Sequence, residues 1–218
     1  MASERGTSQG WRALLAPGAA TVLGRALVER EVELFCKYLD LVQKWQRVHR
    51  LVGSVDARWM VTNLVLDSLA FVHALPEGAS DLVDIGSGAG IPGVPIRIVS
   101  PGMRLTMIEA RERRASFLRA VVRELALSDV VVIGRRAEEM VSDMAGRYDA
   151  AVMRCAGPAS ELLPVAEALV RPGGTVVIGA SETTDVPSGA ERLVVNVPGL
   201  GPRSLLRRRT PAAAGPHD

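Results

Sequence analysis

The chain has 218 residues, of which 48% are hydrophobic and only 4% aromatic, and its net charge is +2. This apolar content excludes an intrinsically disordered chain, and the length fits one α/β domain with an appendage. The sequence has neither the roughly 20 consecutive apolar residues that span a bilayer nor an N-terminal signal-peptide pattern, so we predict a cytoplasmic protein.

The N-terminal part of the sequence is predicted to be helical. Residues 1–22 are rich in Gly, Ala and Ser, and we predict that they are disordered. Apolar residues from Leu23 to Trp45 then recur at helical spacing, and a second helical segment follows at 56–74. These segments predict a helical cap at 23–78 that precedes the first strand.

The remainder alternates short apolar runs with helical segments. This alternation predicts βαβ units and the α/β class, with a mostly parallel Rossmann-like sheet over residues 79–210 and a disordered tail at 211–218. The predicted strands are 82–85, 105–109, 130–133, 149–153, 174–178, 193–197 and 203–207. The predicted helices of this part start at Pro92 or span 115–127, 137–144 and 158–170.

A glycine loop follows the first predicted strand, with the sequence Asp84-Ile85-Gly86-Ser87-Gly88-Ala89-Gly90. Alternating glycines permit positive φ and let a ligand approach the backbone closely. We expect the helix that starts near Pro92 to add free N–H groups and a positive dipole end. Ligands of open parallel sheets bind at such loops, beyond the carboxyl ends of the strands.

Two cofactor classes fit this loop. Residues 88–93 match the Gly-x-Gly-x-x-Gly string of dinucleotide sites, whereas 86–90 match the Gly-x-Gly-x-Gly spacing of S-adenosylmethionine sites. Asp84 favours the second class because a carboxylate suits the methionine ammonium and repels a pyrophosphate. Glu109, at the end of the second strand, is placed to accept hydrogen bonds from ribose hydroxyls in either class. The sequence therefore favours a class I methyltransferase over a dinucleotide enzyme or a non-catalytic α/β domain.

The segment Asp84–Pro95, DIGSGAGIPGVP, resembles the signature of the RsmG (GidB) family, which methylates guanine N7 of bacterial 16S ribosomal RNA. Further stretches agree in order and spacing: Lys44-Trp45, Leu66-Asp67-Ser68-Leu69, Arg113-Arg114 to Phe117-Leu118, Arg136-Ala137-Glu138-Glu139 and Met153-Arg154-Cys155-Ala156. The resemblance covers about residues 23–179.

The resemblance also implies site residues. Gly86 and Ile91 would line the S-adenosylmethionine pocket, and Glu109, Ala110 and Arg111 would surround the ribose. Ala137 and Glu138 would lie at the adenine, and Arg154 near the methyl-transfer region, where the alternative role is a structural ion pair. The complete predicted set is Asp84, Gly86, Ser87, Gly88, Gly90, Ile91, Glu109, Ala110, Arg111, Ala137, Glu138 and Arg154, with Arg154 as the catalytic candidate.

The chain departs from the family pattern at three places. Arg50-Leu51-Val52-Gly53 stands where the family has Asn-Leu-Thr, and Leu64 replaces a His. Ile178-Gly179-Ala180-Ser181 stands where the family has a Lys-Gly pair. These differences leave the cofactor prediction intact and keep two alternatives open, a small-molecule methyltransferase and a non-catalytic regulatory protein.

Arginines supply the candidate contacts to ribosomal RNA, because a guanidinium suits phosphate. The candidates are Lys44, Arg47, His49 and Arg50, then Arg111, Arg113 and Arg114, then Arg203, Arg207, Arg208 and Arg209. Neither the histidines nor Cys36 and Cys155 have metal-ligand spacing, so no metal is predicted. The protein is predicted to be a monomer.

Overall fold

A computed structural model describes residues 8–154 and 159–212 of the chain. Its centre is a seven-stranded sheet in the order β3-β2-β1-β4-β5-β7-β6. Strands β1 to β5 are parallel, and β7 is antiparallel to both β5 and β6. The strands are β1 (Asp81–Ile85), β2 (Arg104–Ile108), β3 (Val130–Ile133), β4 (Tyr148–Met153), β5 (Val170–Ala180), β6 (Ala190–Val197) and β7 (Gly201–Arg209).

Helices precede the sheet and alternate with its strands. The first two are α1 (Ser8–Leu23) and α2 (Glu29–Gln46). The 57–74 segment then combines α3 (Ala57–Met60), a π-helix (Val61–Leu66), α4 (Asp67–Leu69) and a 3₁₀ helix (Ala70–Ala74). Between the strands lie α5 (Gly93–Val99), α6 (Glu112–Glu124), a 3₁₀ helix (Ala137–Met140), α7 (Val141–Met144) and α8 (Ala159–Leu169).

The predicted α/β class and mostly parallel sheet are confirmed. All six residues of β4 are buried, as expected for a strand covered by helices on both faces. The chain runs from β1 outward to β2 and β3, then returns to β4 on the other side of β1. A ligand crevice forms where the strand order reverses in this way, so the topology places it beyond the carboxyl ends of β1 and β4.

The prediction of disorder over 1–22 is wrong for the part that the structure describes, because α1 begins at Ser8. Trp11, Leu15, Ala19 and Val22 lie on one face of α1 and are at most 3% exposed. The Trp11 indole N–H donates to Asp40 of α2 at 2.8 Å. Small residues signal close packing here, since a Cβ on Gly18 would lie 2.4 Å from Leu66.

The predicted helix start at Leu23 is also wrong. Gly24, with φ +68°, ends α1, and α2 begins only at Glu29. The buried Glu31 carboxylate accepts the Val28 N–H at 2.9 Å and pairs with Arg25 at 2.7 Å, which stabilises the new helix start.

The helical cap and the sheet share one hydrophobic core. This core runs from Trp11 through Phe35 and Phe71 to Leu105 and Leu205. The boundary proposed between 78 and 79 stays a prediction. Pro211 and Ala212 lie in neither helix nor strand, and the rest of the predicted tail, like Pro158, lies outside the described residues. Among the described helices, none combines the length and hydropathy that crossing a bilayer requires.

Replacing Trp11 tests whether α1 belongs to the fold. Trp11→Ala should lower the free energy of unfolding by about 3–5 kcal/mol, because a fully buried aromatic side chain leaves a cavity. Urea denaturation measures this change. Gln9→Ala, at an exposed position of the same helix, is the control and should change the stability by less than about 0.5 kcal/mol. An equally small effect of Trp11→Ala would contradict the packing of α1.

Candidate functional site

The glycine loop leaves the carboxyl end of β1 and turns back over β2. The N–H groups of Gly86 and Ser87 both donate to the Ile108 carbonyl, at 2.8 and 3.2 Å. Gly86, Gly88 and Gly90 have φ values of +71°, +56° and +89°, a region that favours glycine. The loop conformation predicted from the alternating glycines is therefore present.

Asp84 lies under this loop and is fully buried. Its Oδ2 accepts the Gly93 N–H at 3.0 Å. Its Oδ1 is buried and has no hydrogen-bond partner among residues 8–154 and 159–212. A buried carboxylate oxygen without a partner is costly, so this atom suits a cationic ligand group such as an ammonium.

Burial raises the pKa of Asp84 to about 7; the Gly93 N–H and the nearby Ser87 hydroxyl oppose that shift, the charge of Glu109 adds to it, and the charge of Arg154 opposes it. The unfolded value is about 3.9, so between about pH 4 and pH 7 the folded chain binds a proton that the unfolded chain lacks. The contribution of Asp84 to the free energy of unfolding therefore decreases as the pH rises through this range.

Glu109 is 5% exposed and connects two loops. Its Oε2 accepts the Gly88 N–H at 2.9 Å and its Oε1 accepts the Arg111 N–H at 2.8 Å. Each carboxylate oxygen keeps a further lone pair, so the side chain can still accept a ligand hydroxyl. Its first role in the structure is to fix the glycine loop against the loop that follows β2.

The loop glycines differ in what surrounds them. A Cβ on Gly93 would lie 2.6 Å from Asp84 Oδ2, and one on Gly90 would lie 2.8 Å from Val94. At Gly88 the nearest atoms are 3.7 Å away. Gly90 and Gly93 are therefore required by packing, whereas a Cβ on the buried Gly88 would meet Arg114 and the Gly86 carbonyl only at ordinary van der Waals distance.

A cavity of about 100 Å³ lies beside the loop, at the carboxyl ends of β1 and β2. Four of its lining residues belong to the predicted cofactor set: Gly86, Ala110, Ala137 and Glu138. Arg135, Arg136 and Leu162 also line it and were not predicted. Leu162 lies on α8, for which the sequence predicted only a covering helix.

Two predicted site residues also have contacts inside the chain, and one expectation about the loop is wrong. Ile91 packs against the hydrophobic core, and the buried Ser87 donates its hydroxyl to the Asp84 carbonyl at 2.9 Å. The expected free N–H groups at the helix start are also wrong, because Gly93 donates to Asp84 and Val94 donates to the Gly90 carbonyl. Arg111 is exposed at the start of α6.

Tyr38 of α2 is a site residue that the sequence did not reveal. It is fully buried, and its hydroxyl donates to the Ala89 carbonyl of the glycine loop at 2.8 Å. Burial raises its pKa, so the hydroxyl remains a donor. The sequence could have indicated this contact, because Tyr38 lies on the apolar face of a predicted helix and a buried hydroxyl requires a hydrogen-bond partner.

Arg154 follows β4 and forms the structural ion pair that the sequence left as an alternative. One amino group donates to the Asn63 carbonyl at 2.6 Å, and the other pairs with Asp67 at 3.0 Å. Arg203 of β7 pairs with the same carboxylate at 2.7 Å. Asp67, Arg154 and Arg203 border a second cavity, of about 270 Å³, at the carboxyl ends of β4 and β5.

The basic residues predicted to contact RNA fall into two groups. The first lies on β7, where Arg203 pairs with Asp67, Arg207 with Glu191 and Arg208 with Glu167, each at 2.7 Å, and Arg209 is exposed. The other group, called here the basic corner, lies where the end of α2 meets the start of α6, joined by the contact of Trp45 with Phe117 at 5.6 Å between ring centroids. The basic corner consists of Lys44, Arg47, His49, Arg50, Arg111, Arg113 and Arg114.

A larger cavity of about 770 Å³ lies elsewhere, between α1, the 57–74 segment and the turn from β6 to β7. It is not at the crevice where the strand order reverses, so the topology gives it no part in the site. No group of three or more His, Cys, Asp or Glu residues that could hold a metal occurs in the described ranges.

The chain is similar to characterised families in sequence and in fold. Residues 31–192 match the GidB family model, described as rRNA small subunit methyltransferase G. Proteins named ribosomal RNA small subunit methyltransferase G are similar to it. The Stenotrophomonas maltophilia (strain K279a) protein is 36% identical over 78% of this chain and 82% of its own. The Xanthomonas axonopodis pv. citri protein is 33% identical over 89% and 96%.

Solved structures share the fold at lower sequence identity. Cofactor-bound Rv0187 from MTB has a TM-score of 0.60 and 15% identity, over 96% of this chain and 100% of that one. TYW2 from M. jannaschii in complex with AdoMet has a TM-score of 0.51 and 13% identity, over 66% and 73%.

The glycine loop, its acidic residues and the parallel sheet thus occur in a sequence that matches one family over most of its length. The chain belongs to the GidB family, rRNA small subunit methyltransferase G.

Proposed function

We propose that this protein transfers a methyl group from S-adenosylmethionine to guanine N7 in the RNA of the small ribosomal subunit. As a member of its family it is an S-adenosylmethionine-dependent methyltransferase. The structural observation that supports cofactor binding here is the buried, unpartnered Oδ1 of Asp84 beneath the glycine loop. The position of the acceptor atom rests on the resemblance to the family.

The residues around the loop suit the parts of this cofactor. Asp84 would accept the ammonium of the methionine moiety, and Glu109 would accept a ribose hydroxyl with its remaining lone pairs. The cavity lined by Ala137, Glu138 and Leu162 would hold the adenine. Arg154, beyond β4, would lie on the methyl-transfer side.

Bound in this way, S-adenosylmethionine supplies an electrophilic methyl group, which the N7 lone pair takes as the carbon–sulfur bond breaks and the sulfur becomes neutral. Because N7 carries no proton, the chain needs no general base. Its residues contribute by positioning the two reactants.

The basic corner is suited to the RNA backbone. Four residues of the basic corner are exposed and form no ion pair with any residue of the described ranges: Lys44, Arg47, Arg50 and Arg113. Arg114 reaches the glycine loop, since a Cβ on Gly88 would lie 3.7 Å from its Nη1. The basic corner thus offers exposed cations to phosphate and, through Arg114, extends to the cofactor loop. The cytoplasmic location and the monomeric state stay predictions of the sequence.

A methyl-transfer assay tests the proposed acceptor. The protein, labelled S-adenosylmethionine and small ribosomal subunits from cells that lack the enzyme should give one labelled N7-methylguanosine in the RNA. RNA that stays unlabelled while a cell extract yields a methylated metabolite would support a small-molecule methyltransferase. Cofactor binding without methylation of any substrate would support a regulatory protein. Either result would contradict the proposed function.

Gly93→Ala tests the ligand role of Asp84. The added methyl group would lie 2.6 Å from Oδ2, so the carboxylate must move away from its present position. We expect the affinity for S-adenosylhomocysteine to fall at least about tenfold in isothermal titration calorimetry, the equivalent of one hydrogen bond to a charged group. Gly102→Ala, which meets no atom within 4 Å, is the control. Unchanged affinity in Gly93→Ala would contradict the assignment.

The pH dependence of binding tests the charge of Asp84. Because its pKa is about 7 and only the ionised form pairs with an ammonium, the affinity for S-adenosylhomocysteine should rise about tenfold from pH 6 to pH 8. Asp84→Asn should weaken binding at pH 8 by about 1.5–3 kcal/mol and remove this rise. Calorimetry at both pH values measures the two effects. The same rise in Asp84→Asn would assign the titration to another group.

A further inference from the structure

The second cavity is placed to receive the methyl acceptor. It lies at the carboxyl ends of β4 and β5 and is lined on its other sides by Phe71 and by residues 203–205 of β7. Arg154 lies next to the cofactor loop, because Met153 before it pairs with Ile85 before the loop. The cavity volume of about 270 Å³ is below the roughly 300–1,000 Å³ of sites for whole small-molecule ligands. This size suits one base, with the sugar and phosphate left outside.

A single carboxylate holds both guanidinium groups of this cavity. Asp67 is 3% exposed, and its Oδ1 binds Arg203 Nε at 2.7 Å while its Oδ2 binds Arg154 Nη2 at 3.0 Å. The Arg154 Nη1 also donates to the Asn63 carbonyl. Arg154 is therefore held at both of its amino groups, and its side chain is 14% exposed.

Arg203 is held differently. Only its Nε is bound, and its two amino groups have no partner in the described part of the chain. Its side chain is 40% exposed, at the rim of the cavity. The two amino groups of the guanidinium thus remain available, and this edge of a guanidinium can bind phosphate oxygens in pairs.

The charge change of the reaction bears on whether Arg203 suits O6 of the base or the backbone phosphate. Methylation at N7 leaves a positive charge on the purine. Arg154, paired with Asp67, already lies beside the base in this arrangement, so a second cation hydrogen-bonded to O6 would oppose the transfer. A phosphate outside the cavity keeps its negative charge throughout the reaction, so pairing with the cation stabilises it at every stage. The position at the rim and the electrostatics both favour the phosphate.

We propose that Arg203, oriented by Asp67, binds the backbone phosphate of the acceptor nucleotide while its base enters the cavity beside Arg154. This assignment rests on the proposed function and adds a substrate-binding residue to it. Gly179, Ala180 and Ser181 of the β5 end carry no charge in this cavity, so the cation comes from the neighbouring strand β7.

The salt dependence of substrate binding tests the assignment. Arg203→Ala should raise the KM for undermodified small-subunit RNA about tenfold, and should reduce the slope of log affinity against log salt concentration by about 0.7–0.9. The affinity for S-adenosylhomocysteine should remain unchanged, which also shows that the variant is folded. Arg203→Lys should recover part of the KM, because an ammonium still binds phosphate as a point charge.

Arg147→Ala is the control. It removes one exposed arginine charge at the amino end of β4, whereas the cavity lies at the carboxyl ends of β4 and β5. The control should keep both the KM and the salt slope of the unchanged protein.

Three results would overturn the assignment. If Arg203→Ala leaves both the KM and the salt slope unchanged, the assignment is contradicted. The proposed function is not, since the protein without the substitution would still methylate the RNA. A lower kcat at an unchanged slope would place Arg203 on the base. Absence of RNA methylation by the unchanged protein would contradict the proposed function, and the assignment with it.

Discussion

The cofactor loop depends on two buried carboxylates. Asp84 and Glu109 accept three backbone N–H groups, those of Gly93, Gly88 and Arg111. These bonds connect the loop after β1 to the helix that follows it and to the loop after β2. Because the carboxylates lie beneath the backbone, the loop has its shape before any ligand arrives, and less conformational entropy is lost on binding. The unsatisfied oxygen of Asp84 is the cost of this arrangement.

The helices before the sheet are part of the site. Tyr38 of α2 donates to the glycine loop, and Asn63 and Asp67 of the 57–74 segment hold Arg154 beyond β4. The two sides of the crevice are thus positioned by helices that precede β1 in the chain. The glycine loop and Arg154 are thus both held in place by polar contacts with these helices, and such contacts are strong where water is excluded.

The sequence predicts those features that depend on local patterns. Strands β1 to β5 were predicted because Val, Ile and Ala runs bounded by turns are typical of strands buried on both faces, and the glycine loop because its spacing is contiguous. Helix α1 was missed because Gly18 and Pro17 suggest a loop, whereas the close approach to Leu66 is a tertiary effect. The pair Arg203–Asp67 joins residues 136 positions apart, so no local pattern indicates it. Asp84 was predicted as a site residue, but its unpartnered oxygen follows from packing alone.

The π-helix at Val61–Leu66 sets the direction of Asp67. Here the Asp67 N–H donates to the Thr62 carbonyl, five residues back, so this turn holds one residue more than an α-helical turn. An α-helix advances about 100° per residue. A deletion of one residue within 61–66 would therefore restore regular helix geometry and rotate the following side chains by about that angle. Asp67 would then turn away from both arginines, so the length of this segment is under a constraint that its amino-acid composition does not express.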